Sequence, residues 1–396
     1  MNIIELIDTQ KVLKWRRHMH KFPEIAFKER ETSSYIAKEI EANFPEIKVL
    51  RWDDKVVKGG ELPNYGLVAV LEGGKPGRAV AMRADFDALP MREETDLEFK
   101  SVYENIAHTC GHDCHAAMLL GAMDALYKMR QDIEGHVLFV FQHAEECLPG
   151  GAQAIIDTGV FNDYDIKAFY ASHVFPDDPV GIIKFAPGNV SANTDSFDIE
   201  IQGKGGHGST PENCIDSLLI GTEVVQALNF IVPRYLSAFD KAVITVGKFH
   251  AGTVANIIPD KAEISTTVRS MAPDVRDLIE KKVHEIATNI CTAYGATCKI
   301  RYTRGYTSVV NDEGLCKSFS EIVESDIPDV KVVASEPHMG GEDFSAYQQI
   351  APTLFSALGC MPEDGEVYMN HHPKFMVNEG VLPIGAALYV AFALRV

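Results

Sequence analysis

No apolar run in the 396 residues is long enough to span a bilayer. The opening residues, Met1 to Glu5 and then Asp8, lack the basic and apolar stretches of a secretory signal. A membrane partner is therefore not expected, and the protein is read as cytoplasmic. Cysteine is present without a pattern: Cys147, Cys214, Cys291, Cys298, Cys316 and Cys360 stand singly. No disulfide framework follows from such spacing, and most of these are read as small core residues in a reducing compartment. Basic residues are in deficit, since 37 Lys and Arg against 56 Asp and Glu leave a net charge of −19. That balance argues against nucleic acid, whose phosphates would be repelled over much of the surface. It does not limit a small substrate, because bound cations can reverse the sign inside a pocket. Tandem repeats and low-complexity segments are absent from the sequence.

The chain exceeds the size at which one core stops growing, so two domains are expected, and 46% hydrophobic residues are ample for both. The densest chemistry lies in His108-Thr109-Cys110-Gly111-His112-Asp113-Cys114-His115. Cys110 and His112 stand before a helical pattern that opens near Asp113 and runs to about Met129. Their spacing with Cys114 and His115 fits a four-ligand structural zinc poorly, which favours a catalytic metal. A helix over residues 3–40, broken at Phe22-Pro23, precedes the first strands. Three apolar strands then deliver polar groups at their carboxyl ends: Asp85 and Asp87, Glu145 and Glu146, and His173. A crevice site on an open α/β sheet has that layout.

From about Pro187 the pattern changes to β-α-β-β-α-β, that of a ferredoxin-like unit inserted into the chain. The expected division is residues 1–187, 188–302 and 303–396, the α/β domain resuming in the third part. The candidate donors are Cys110, His112, Glu146, His173 and one of His371 and His372, with Glu145 left over. Five ligands are too many for one tetrahedral catalytic ion and fit two ions with a shared ligand. Of an adjacent Glu pair, one can bind metal while the other handles a proton.

The stretches RRHMHKFPEIAF (Arg16–Phe27), RADFDALP (Arg83–Pro90), HTCGHDCH (His108–His115), QHAEE (Gln142–Glu146), GGHGSTP (Gly205–Pro211), NIIPD (Asn256–Asp260) and GGEDF (Gly340–Phe344) cover nearly the whole chain in order. Together they resemble the dinuclear-metal amidohydrolases, which include hippurate hydrolases, N-acyl-amino-acid deacylases and auxin-conjugate hydrolases, within the aminoacylase–carboxypeptidase clan. The resemblance implies an α/β catalytic domain with a mostly parallel, helix-covered sheet, two divalent ions per chain (Zn, Mn, Co or Ni), and an inserted lid that also mediates a homodimer or higher oligomer. It implies Cys110, His112, Glu146, His173 and His371 as ligands, Glu145 as general base and Asp87 as the residue that orients a ligand. In the lid it implies His207 at the oxyanion or substrate carboxylate, with Asn256 and Arg269 near the substrate, an N-acyl amino acid.

The family commonly has proline where His143 stands; this imidazole is read as a satisfied core histidine, and His115 and His250 as structural. The competing readings are a metallo-exopeptidase acting on dipeptides and a catalytically silent metal-binding protein. The presence of Glu145 argues against the latter.

Overall fold

Every residue of the strand Ala79–Asp85 is buried. A strand covered on both faces demands such a sequence, and its apolar residues therefore run on without alternation. In the computed structural model, which describes residues 2–52, 62–363 and 366–396, this strand pairs in parallel with His136–Gln142 on one side and Ile166–Phe175 on the other. Thr353–Gly359 extends the parallel block. Antiparallel pairs flank it: Leu67–Glu72 and then Lys48–Arg51 beyond His136–Gln142, and Ile182–Lys184 beyond Thr353–Gly359. Lys331–Val333 closes the eight-stranded sheet.

Helices cover both faces. His112–Lys128 is buried along almost its whole circumference, so it is apolar all round, as an interior helix must be. It packs with Thr9–Lys21 and Val381–Arg395 in one core layer. Ala152–Ile156 and the 3-10 segment Asp343–Gln349 cover the opposite face. Among the described residues no helix is long and apolar enough to cross a membrane.

This first unit comprises the chain up to Val190, then Val309–Glu336 and Asp343–Val396; the second comprises Ser191–Ser308 and Pro337–Glu342. The second unit is a four-stranded antiparallel sheet in the order Ala242–Ala251, Lys261–Ser270, Asn193–Gln202, Thr297–Arg304. Its strands alternate buried and exposed residues, and Phe197, Ile199 and Ile201 bury one face against Ser217–Leu228 and Pro273–Ala293. That is the ferredoxin-like arrangement. The loop at Pro337–Glu342, read in the sequence with the returning domain, joins this unit because the Ala192 N–H donates to Gly340 O at 2.9 Å.

Two local readings are corrected. His112 is the first residue of its helix rather than a loop residue before it. His173 lies inside a ten-residue strand that runs on to Phe175, because Val174 continues the buried apolar register.

Candidate metal centre

The sulfur of Cys110, a ring nitrogen of His112 and one of His173 lie within 4.8 Å of one another, and so do Cys110, a carboxylate oxygen of Glu146 and a ring nitrogen of His371. Cys110 is common to both groups. Its loop is pressed onto the sheet by Gly111, whose φ of 95° suits glycine and where a Cβ would meet Val174 Cγ2 at 2.3 Å. Asn370 ties the same loop down, donating to Cys110 O at 3.0 Å and Val174 O at 3.2 Å.

The imidazoles of His173 and His112 are each oriented by a partner on the far nitrogen. His173 Nδ1–H donates to Val174 O at 2.9 Å, leaving Nε2 3.4 Å from the Cys110 sulfur. His112 Nδ1 meets Asp87 Oδ1 at 3.2 Å, and its Nε2 is buried without a hydrogen-bond partner among the described residues. The other Asp87 oxygen accepts the Glu146 N–H at 3.0 Å, so one carboxylate steadies two of the five donors. His371 has φ 68°, donates its N–H to Thr109 O at 2.7 Å, and brings Nε2 to 2.9 Å from Glu146 Oε1. His372 is turned elsewhere: its Nδ1 accepts the Lys374 N–H at 3.1 Å and its ring stacks on Tyr368. Glu145 belongs to a further group with His112 and Glu146.

The electrostatics are those of a cation site. Burial works against protonating His112, but Asp85, Cys110 and Asp87 outweigh it and raise its pKa well above the usual value. Hydrogen bonds to Cys110 and Glu146 lift His371 to about 10. Burial pushes the Cys110 thiol up, a penalty that a bound cation reverses. Burial, with His115 and His112 nearby, holds His173 well below the ordinary histidine value, so it stays a neutral donor.

Sequence reasoning left several supports unassigned. His115 donates Nδ1–H to Asp85 Oδ1 at 2.6 Å and accepts the Val174 N–H at Nε2, 3.0 Å away, so it bolts the helix to the strand of His173. Arg83 holds Asp85 at 2.6 Å and Asp343 at 2.8 Å. Behind the loop, Asp113 is buried between Arg16 and His20, both at 2.9 Å. The pairing of Arg83 with Asp85 in one motif was the available signal; the others join residues distant in sequence. His143 is fully buried and edge-on to Phe27 and Tyr65. Burial brings its pKa down to about 4 against Asp87 and the Pro63 backbone, so it is neutral.

In the second unit, His207 and Asn256 come together. Gly206–His207 pairs with Ile257–Ile258, and the Gly208 N–H donates to Asn256 O at 2.9 Å. His207 Nδ1 accepts the Ser209 N–H at 3.1 Å, which leaves Nε2–H as the donor. Arg269 is not brought to them. It lies eight residues along the strand that begins at Lys261 beside this ribbon, about 26 Å away at the rise of an extended chain. Its guanidinium donates to Thr267 Oγ1 at 2.6 Å and Val268 O at 2.9 Å.

Comparison with known proteins places this arrangement. The chain is 38% identical over 315 residues to the N-acyl-L-amino acid amidohydrolase of Geobacillus stearothermophilus, covering 79% of this chain and 82% of that one. It is 36% identical to thermostable carboxypeptidase 1 of Saccharolobus solfataricus, over 100% of this chain and 99% of the other. The crystal structure of the Bacillus subtilis YXEP protein, described as a dinuclear metal binding peptidase, superposes with a TM-score of 0.83 at 30% identity, covering 98% and 97% of the two chains. Residues 81–395 match the peptidase family M20/M25/M40, and the chain belongs to that family.

Proposed function

We propose that the chain is a metal-dependent amidohydrolase that cleaves the amide bond of N-acyl amino acids. One observation carries the reading: two donor groups share Cys110, with Glu145 beside them. Cys110, His112, Glu146, His173 and His371 are the ligands in this reading, and the buried, unpartnered His112 Nε2 is a donor such a cation would use. Two divalent ions held there would polarise the scissile carbonyl and bring a water's pKa towards neutrality. Glu145 would take the proton of the attacking water and return it to the leaving nitrogen. Asp87 fixes the ring of His112, a role carboxylates commonly take behind metal-bound histidines. A thiolate among the donors favours zinc or cobalt, while manganese and nickel remain compatible with the nitrogen and oxygen ligands. All eight cysteines are free thiols, which fits the reducing cytoplasm.

The names of the two relatives share a feature: an N-acyl amino acid and a peptide's C-terminus both carry a free carboxylate next to the scissile amide. His207 Nε2–H suits an oxyanion or that carboxylate, with Asn256 beside it and Arg269 as the cation. Since Arg269 lies near the end of the four-stranded sheet that is remote from the His207 ribbon, we infer that a site uses Arg269 of one chain and the His207–Asn256 pair of a second. Exposed Leu219, Phe230, Phe239 and Val243, with the edge strand Ala242–Ala251, offer the surface for such a homodimer. We take the second unit as lid and dimerisation domain.

Turnover on N-acetyl, N-benzoyl and free-amino dipeptide substrates, each as acid and amide, tests the reading. N-acyl acids should be cleaved far faster than their amides. The carboxypeptidase relative favours a second reading, a metallo-exopeptidase, and preference for the free-amino dipeptides would establish that instead.

A further inference from the structure

Between the strand His136–Gln142 and the two glutamates the backbone passes through Ala144, a fully buried residue at φ 52°. A residue with a Cβ holds that left-handed conformation only where its surroundings over-determine it. Two buried carboxyl groups do so. The Ala144 N–H donates to Glu29 Oε1 at 2.8 Å, and the Glu146 N–H donates to Asp87 Oδ2 at 3.0 Å. Glu145 is the residue between these two anchors.

We infer that Glu29 is a positioning residue that, by holding Ala144, aims the Glu145 carboxylate; this rests on the reading of Glu145 as the general base. Glu29 stands at the start of the helix Arg30–Asn43, yet its side chain makes no capping bond. Glu24 does that instead, accepting from Thr32 N at 2.7 Å and Thr32 Oγ1 at 2.8 Å, and Glu29 is left to turn inward. Its segment is fastened to the stretch that carries Asp87: the Ala88 N–H donates to Glu24 O at 2.8 Å, and Ile25 bridges Ala88. The two anchors are therefore tied to each other by backbone hydrogen bonds.

Burial and then the Asp87 charge push the Glu29 carboxyl well above the usual range. The oxygen of a carboxyl or of a carboxamide can accept the Ala144 N–H alike.

The test compares Glu29→Gln and Glu29→Leu in the metal-loaded enzyme, reading kcat, KM and metal content. Glu29→Leu should lower kcat about ten- to hundredfold, the scale of a misplaced catalytic group, with KM and metal content held. Glu29→Gln, which keeps the acceptor, should stay within about twofold of wild type, since no oriented bond is lost. Should Glu29→Leu fail to fold, Glu29→Asp, one methylene too short, carries the same expectation. Wild-type kcat in Glu29→Leu, equal loss in Glu29→Gln, or loss of metal in Glu29→Leu would each overturn the inference. A Glu145→Gln control separates the two readings. If that variant stays active, the base assignment itself fails; if it is dead while Glu29→Leu is active, only the positioning role fails.

Discussion

Asp87 turns one carboxylate oxygen to His112 Nδ1 at 3.2 Å and thereby leaves the opposite ring nitrogen 3.9 Å from Glu146. Loss of that contact frees the ring to rotate. Asp87→Ala should weaken metal affinity about ten- to a hundredfold, measured by competition with a chelator. Chelation of the unaltered enzyme should abolish turnover, and readded divalent ions should restore it at about two per chain.

The adjacent glutamates should respond differently to the same change. Glu145→Gln should keep its metal and lose about a hundred- to ten-thousandfold in kcat, the scale of a missing general base. Glu146→Gln should lose metal. Elemental analysis of both variants checks this, and a reversed result would mean the two roles are exchanged.

Acid sensitivity should centre on Asp113. Burial alone would raise its carboxyl, but Arg16 and His20 outweigh that and hold it well below the usual carboxylate range. A depressed folded value means that Asp113 contributes stability above about pH 4, and the contribution drains away as pH falls further. His20 is raised, Asp113 and Glu93 overcoming its burial, so its contribution is full below about pH 6.5 and fades as pH climbs through the folded value. Arg16→Leu strands a buried carboxylate and should cost about 3–5 kcal/mol at neutral pH. It should also move the acid-unfolding midpoint upward, as followed by circular dichroism on chelator-treated protein.

A composite site predicts complementation. His207→Ala and Arg269→Ala homodimers should each be impaired, and subunit exchange should restore up to roughly a quarter of wild-type activity, because half the dimers then carry one intact site of two. An unchanged mixture would place both residues in service of their own chain.

The strands that carry Asp85 and His173 and the one that leads to Glu145 were legible because burial on both faces leaves an apolar run that turn residues interrupt. Lys48–Arg51, Ile182–Lys184 and Lys331–Val333 were not, because three or four partly exposed residues near the sheet margins carry no pattern. Motifs exposed the donors, while their supports stayed hidden. Arg16 and Asp113 are 97 residues apart, and each alone looks like a solvated charge. Alternation alone did not show that Arg269 sits eight residues along a strand that begins beside the His207 ribbon; the pairing of Gly206–His207 with Ile257–Ile258, just ahead of Lys261, does.

The strand Thr353–Gly359 lies between Ile166–Phe175 and Ile182–Lys184 in the large sheet, although nearly 170 residues are synthesised between its neighbours and itself. During translation the edge of Ile166–Phe175 therefore waits, unpaired and apolar, while the whole second unit emerges. His371 follows later still. The nascent chain is most exposed to wrong pairing in that interval, and the proposed set of ligands is complete only after the second unit has emerged.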